Sequence, residues 1–121
     1  MANAKDTLAI LMELDGILGA CIVDSNSGMM LGAASNSPSF NLEIAAAGNT
    51  EVVRSKRKTM RSLGLNDPIE DILISLGRQY HLLRPLRSND ALFIYVALDR
   101  SRANLGLARH QLANAERDLV V

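Results

Sequence analysis

Cysteine occurs once, at Cys21, so no intramolecular disulfide framework is available and a reducing compartment is the natural setting. Tryptophan is missing, aromatic residues make up 3% of the chain, and the two histidines, His81 and His110, are far apart. No P-loop, G-x-G-x-x-G, H-E-x-x-H, G-x-S-x-G or C-x-x-C pattern is present. Catalytic and metal-binding roles therefore have no visible anchor, and no cofactor is expected. Charge of one sign is lacking too: thirteen basic and thirteen acidic side chains cancel. No whole-molecule field draws the protein to nucleic acid or to an anionic membrane. No apolar run approaches the ~18 residues of a membrane span, and the first residues lack the apolar core of a secretion signal. A protein of the cytoplasm, without membrane insertion, is expected.

What the chain does have is apolar material in helical and strand periods. Of its 121 residues 48% are hydrophobic and 21% charged, which suits one domain over 1–121 with a sizeable core. Repeats, linkers and low-complexity tracts are absent. Ile10, Leu11, Leu14, Ile17 and Leu18 recur at helical spacing from about Ala4, and Gly16 and Gly19 are read as the helix end. Ala20–Val23 and Met29–Ala34 read as a hairpin around Asp24-Ser25-Asn26-Ser27-Gly28, where Asp24 and Asn26 offer local side-chain bonds and Gly28 a positive φ.

A long helix follows, from Ser37 or Asn41 to Leu63, stopped by Gly64 and the Asn66-Asp67-Pro68 turn. Leu42, Ala46, Val53, Met60 and Leu63 form its apolar stripe, though Asn49 and Lys56 fall on the same side. Ile69–Leu76, Tyr80–Leu86 and Ala91–Leu98 read as an antiparallel meander, with Pro85 confined to a strand end. Leu92 to Leu98 is apolar on both faces, which marks a central strand covered on each side. Leu105, Ala108, Leu112, Ala115 and Leu119 define a closing helix from about Ser101. The order αββαβββα is thus an α+β fold. A five-stranded antiparallel sheet, with two terminal helices on one face and the long middle helix on the other, satisfies these burial demands.

Gly16-Ile17-Leu18-Gly19-Ala20-Cys21-Ile22-Val23-Asp24, followed by Ser27-Gly28, resembles the opening of the roadblock dynein light-chain family. Asn104-Leu105-Gly106-Leu107-Ala108-Arg109 is similar to that family's last helix. The likeness runs from about Leu8 to Leu119 in element order. It implies the same layout, a profilin-like roadblock sandwich, and, for the bacterial type, a homodimer that partners a small Ras-like GTPase.

Ala45-Ala46-Ala47-Gly48 leaves a flat, small surface on the long helix. Ala45, Ala47, Gly48 and Glu51 are therefore expected where two copies cross at a two-fold axis, a contact that the resemblance favours over packing on the chain's own sheet. Ile72, Leu73 and Ile74, on what the family order makes an edge strand, are the other half of that contact, with Glu70 and Asp71 able to fix or oppose its register. Arg54, Arg57, Lys58 and Arg61 recur three and four apart in the one dense basic segment. With no aromatic interleaved to stack bases, an acidic protein partner fits better than nucleic acid. Stimulation of the partner's GTP hydrolysis is the further activity that such binding would allow, and no catalytic residue is assigned to it. A small sensory or adaptor dimer that binds a metabolite or another signalling protein is the competing reading. Cys21 is expected to be buried in its strand, His81 to be a partly exposed structural residue, His110 to be solvated, and at least half of Met12, Met29, Met30 and Met60 to be interior.

Overall fold

The computed structural model describes all residues from Met1 to Val121. Its elements are α1 (Ala4–Leu11), β1 (Ile17–Asp24), β2 (Met30–Ser35), α2 (Leu42–Ser62), β3 (Ile72–Ser75), β4 (Gln79–Pro85), β5 (Leu92–Asp99) and α3 (Leu105–Asp118). The order is αββαβββα as expected. The strands form one antiparallel sheet in the order β2-β1-β5-β4-β3.

β5 is the middle strand, and every residue from Leu92 to Leu98 is buried. Successive side chains of a strand point to opposite faces, so this one run feeds two cores. Leu92, Ile94, Val96 and Leu98 join Ala20, Ile22 and Leu82 beneath α1 and α3. Phe93, Tyr95 and Ala97 join Cys21, Val23 and Leu83 beneath α2. Pro85 closes β4, where its missing N–H costs the ladder least.

The same device starts all three helices: an asparagine whose side-chain oxygen accepts an early backbone amide. Asn3 accepts from Asp6, Asn41 from Ile44 and Asn104 from Leu107. Ala108, Leu112, Ala115 and Leu119 bury the stripe read for α3. Glu116 is buried with them, at 4% exposure, because its carboxylate accepts a 3.0 Å bond from Arg84 Nε and a second from the Arg87 amide. That pair straps α3 to β4, and nothing in the sequence announces a bond across 32 residues.

Several boundaries differ from the sequence reading. Ile17 and Leu18 begin β1 instead of ending α1, which stops at Leu11. Their helical spacing is a coincidence of two apolar elements joined by a tight turn. Gly16 makes that turn at φ +79, with the Asp99 carbonyl and Ala103 amide 2.9 Å from where a Cβ would stand. Gly19 lies inside β1. β2 begins at Met30, not Met29, and a bulge interrupts its register between Ile22 and Val23. β3 spans only four residues because Ile69 to Asp71 have no ladder partner. Ile10 and Leu63 are exposed, so neither joins a core stripe. Met29 is exposed and Met12, Met30 and Met60 are only half-buried, so none of the four is interior.

Gly16→Ala adds both left-handed strain and a backbone clash, and should cost more than about 2 kcal/mol. Gly64→Ala, at φ +71 in open space, meets the strain alone. Its cost should be about 1 kcal/mol. Urea unfolding of the two variants checks the ordering, and equal losses would contradict it.

Candidate functional site

Two helices cover one face of the sheet and a single helix covers the other. Adjacent strands lie about 4.8 Å apart, so five span roughly 19 Å, against about 10–12 Å for one helix with its side chains. α2 packs on β1 and β2. Leu42, Ala46, Thr50 and Val53 face the sheet, with the Thr50 hydroxyl donating back to the Ala46 carbonyl at 2.7 Å. On the same face Leu83 of β4 is still buried in that core, whereas His81 of β4 and Ile72 and Ile74 of β3 are half-buried with no helix above them.

On that open side α2 presents Ile44, which is 71% exposed, together with half-buried Ala45 and Val52 and exposed Gly48. A Cβ built on Gly48 meets nothing within 4 Å. Between this flank and β4 runs a groove of about 390 Å³ that includes Phe40, Ile44, Ala45, Gly48, His81 and Tyr95. Ile72 and Ile74, half-buried on β3, continue the apolar surface to the sheet edge. Leu73 points to the opposite face, toward α1 and α3.

The edge of β3 has no neighbouring strand beyond it. An acidic residue beside such an edge ordinarily deters pairing. Here Asp71 is turned away: Arg109 on α3 grips it through two bonds, of 2.8 and 3.0 Å. Glu70 stays exposed, 3.9 Å from Arg87. Asp71 is therefore occupied within the chain, with Arg109 as its partner.

The small residues of α2 do not all share a flank. Ala46 is sealed against the sheet, and Ala45 and Gly48 border the groove. Ala47 lies on the other side, its Cα 3.8 Å from where a Cβ on Gly28 would be. Glu51 lies 3.8 Å from Arg54 in a second crevice of about 530 Å³, bounded by Ser25, Asn26, Ser55, Arg57, Lys58 and Arg61. All four expected partner-binding cations thus line one crevice with no apolar wall. Arg54 is the only one of them in an ion pair. Ser25 shapes the floor of this end of the sheet, donating its amide and hydroxyl to the Ala91 carbonyl at 2.7 and 2.8 Å and so tying the β1–β2 turn to the β4–β5 turn. The larger groove, about 690 Å³, lies between the end of α2 and the β4–β5 turn and mixes Arg57, Arg61 and Arg87 with Asp67 and Asp90.

Reactive groups do not converge. No three His, Cys, Asp or Glu side chains are placed to hold a metal. Cys21 is fully buried, and desolvation pushes its thiol up to about 12. His81 is half-buried among aromatic rings. Its centroid lies 5.4 Å from Tyr95 and 6.0 Å from Phe40, both edge-on. His110 is exposed, 3.4 Å from Asn114.

The arrangement of elements and faces matches solved structures. Myxococcus xanthus MglB superposes with a TM-score of 0.77 at 17% identity, covering 92% of this chain and 89% of that one. A roadblock/LC7 domain from Streptomyces avermitilis gives 0.75 at 10% identity over 90% and 87%. The chain has the roadblock fold. The gliding protein MglB of Thermus thermophilus adds 0.72 at 16% identity over 95% and 89%. No family model matches the sequence, and no curated protein matches it significantly. At these identities it is the roadblock fold that is shared. No helix of this chain is long and apolar enough to cross a membrane.

Phe40 and Ile44 are groove residues to which reading the sequence gave no role, and His81, read as a partly exposed structural residue, lines the same groove. Ile44, Gly48 and Val52 stand four apart, a second stripe that is visible once the Leu42-Ala46-Val53 stripe is assigned to the sheet. In the folded protein Cys21 should resist an alkylating reagent for hours at about pH 8 and react once unfolded. Rapid labelling of native protein would contradict its burial.

Proposed function

We propose that the chain is a noncatalytic, single-domain roadblock homodimer of the cytoplasm that binds a small Ras-like GTPase and regulates or scaffolds it, without a cofactor and without contact to nucleic acid or membrane. The observation that carries the dimer is the uncovered strip from Ile44, Gly48 and Val52 across the groove to Ile72 and Ile74 at a free sheet edge. A second copy related by a two-fold axis would lay its own α2 on that strip and pair β3 with β3, satisfying the unpaired backbone and covering the apolar side chains together. The Arg109–Asp71 pair supports this, because it leaves the edge without a free carboxylate at that position.

Ala45, Gly48, Ile72 and Ile74 are the interface residues in this reading. Ala47 and Glu51 flank it, and Leu73 contributes only backbone pairing. Arg54, Arg57, Lys58 and Arg61 remain free for an acidic partner, because their crevice lies on the flank of α2 that the dimer does not use. A Ras-like GTPase as that partner rests on the resemblance in the chain's opening and last helix.

Gly48→Phe projects into open space in the isolated chain, so it should leave the fold intact while blocking the approach of a second α2. Sedimentation should then show a folded monomer; an unchanged dimer would overturn the proposed contact. Neutralising Arg54, Arg57, Lys58 and Arg61 should slow association with the GTPase about tenfold or more at low salt and flatten its salt dependence. An unaltered association rate would remove that crevice as the docking site.

A further inference from the structure

We propose that His81 makes this association proton-sensitive, so that a second copy seats on the α2–β3 face only while the imidazole is neutral. The inference rests on the dimer reading above and concerns its regulation. It begins from a hydrogen-bond arrangement that fits one neutral tautomer. Nε2 lies 2.8 Å from Gln79 Oε1, to which it donates, and Nδ1 lies 3.2 Å from the Tyr95 hydroxyl, from which it accepts. Protonation would make Nδ1 a donor as well, facing a hydroxyl that already donates to it, and the Tyr95 hydroxyl would have to turn its proton away.

No neighbouring group offsets the charge that protonation would create. On its own strand His81 faces Gln79, and β3 sets Ile74 opposite it. The segment before α2 brings Phe40, α2 brings Ala45, Gly48 and Asn49, and β5 brings Tyr95. The titratable groups here are Tyr95 and, behind it, Cys21, and burial pushes both upward, so both stay neutral across the acid range. No carboxylate is among the groups packed on the ring. In the separate chain the open mouth of the groove still lets water reach the imidazole. Seating Ile44, Gly48 and their symmetry mates across that mouth would remove the water and leave an imidazolium among Phe40, Ile44 and Tyr95, which costs far more than burying the neutral ring.

The sign follows from proton linkage. Burial already lowers the His81 pKa from 6.5 in the separate chain, and covering the groove lowers it further. Separated subunits then bind more protons than the dimer. Association is unaffected well above the pKa of the separate chain and weakens as pH falls through it, in a window below 6.5.

The test is sedimentation velocity of the full chain and of His81→Gln from about pH 8 to about pH 5 at fixed ionic strength, with near-UV circular dichroism at each pH. Gln keeps a donor and an acceptor but cannot become charged. The expected result is a wild-type dissociation constant that rises about tenfold or more toward the acid end, corresponding to a pKa difference of about half a unit or more at each of the two His81 rings between dimer and separate chain. Its subunits stay folded, and the His81→Gln constant stays flat. A wild-type dimer indifferent to pH, a His81→Gln variant with the wild-type response, or unfolding in place of dissociation would overturn the proposal while leaving the dimer standing. A wild-type monomer at every pH and concentration would overturn the dimer reading itself, and this proposal with it.

Discussion

One helix cannot cover five strands. That mismatch in width governs the molecule, because the face bearing α1 and α3 is closed while the face bearing α2 is closed from β1 across β5 to Leu83 of β4 and left open over β3 and His81. β5 makes the problem acute, since its residues feed both faces and commit the sheet to two covering layers. The polar and apolar placement around the gap follows from it. Phe40 stacks at 6.4 Å on Tyr95 and narrows the opening, His81 and Tyr95 satisfy each other inside it, and Ile44 and Val52 are left standing along its rim.

Charge is arranged to the same effect. The chain is neutral overall, yet five of its thirteen cations, Arg54, Lys56, Arg57, Lys58 and Arg61, are gathered in the C-terminal half of α2, beside the β1–β2 turn. The N-terminal half carries Glu43 and Glu51 with a run of small residues between them, Ala45-Ala46-Ala47-Gly48. A single helix thus offers an apolar flank toward β3 and a cationic flank toward β2, so that self-association and attachment to an acidic partner need not compete for surface. Arg109 completes the division. By holding Asp71 against α3 it withdraws the negative charge that would otherwise stand at the free edge.

The layered fold was legible because its signals are local. Alternation over Leu92–Leu98 identified the central strand, the Leu105-Ala108-Leu112-Ala115 spacing gave α3, and Asp24-Asn26-Gly28 gave the hairpin turn, with the Asn26 amide on Asp24 at 2.8 Å. What escaped was non-local or degenerate. Ile17 and Leu18 fit a helical period as well as a strand, and only the positive φ at Gly16, forced by the approach of Asp99 and Ala103, separates the two. The length of β3 depends on where β4 stops pairing, which its own apolar residues do not encode. Methionine content gave no guide to burial, since Met29 is exposed and Met12, Met30 and Met60 stay half-buried. Of the candidate site, the small residues and the basic cluster were readable from spacing. Their division between two flanks of α2 was not, because it depends on how the helix is rotated over the sheet. The Glu116–Arg84 and Asp71–Arg109 pairs join residues 32 and 38 apart, and no periodicity marks them.

The account stands or falls on whether the open half of the α2 face is covered in solution. Static light scattering of the purified chain over a wide dilution series measures this most directly. The account predicts the mass of two chains, holding until dilution separates them. The mass of a single chain at every concentration would mean that the strip from Ile44 to Ile74 stays exposed, and would contradict it.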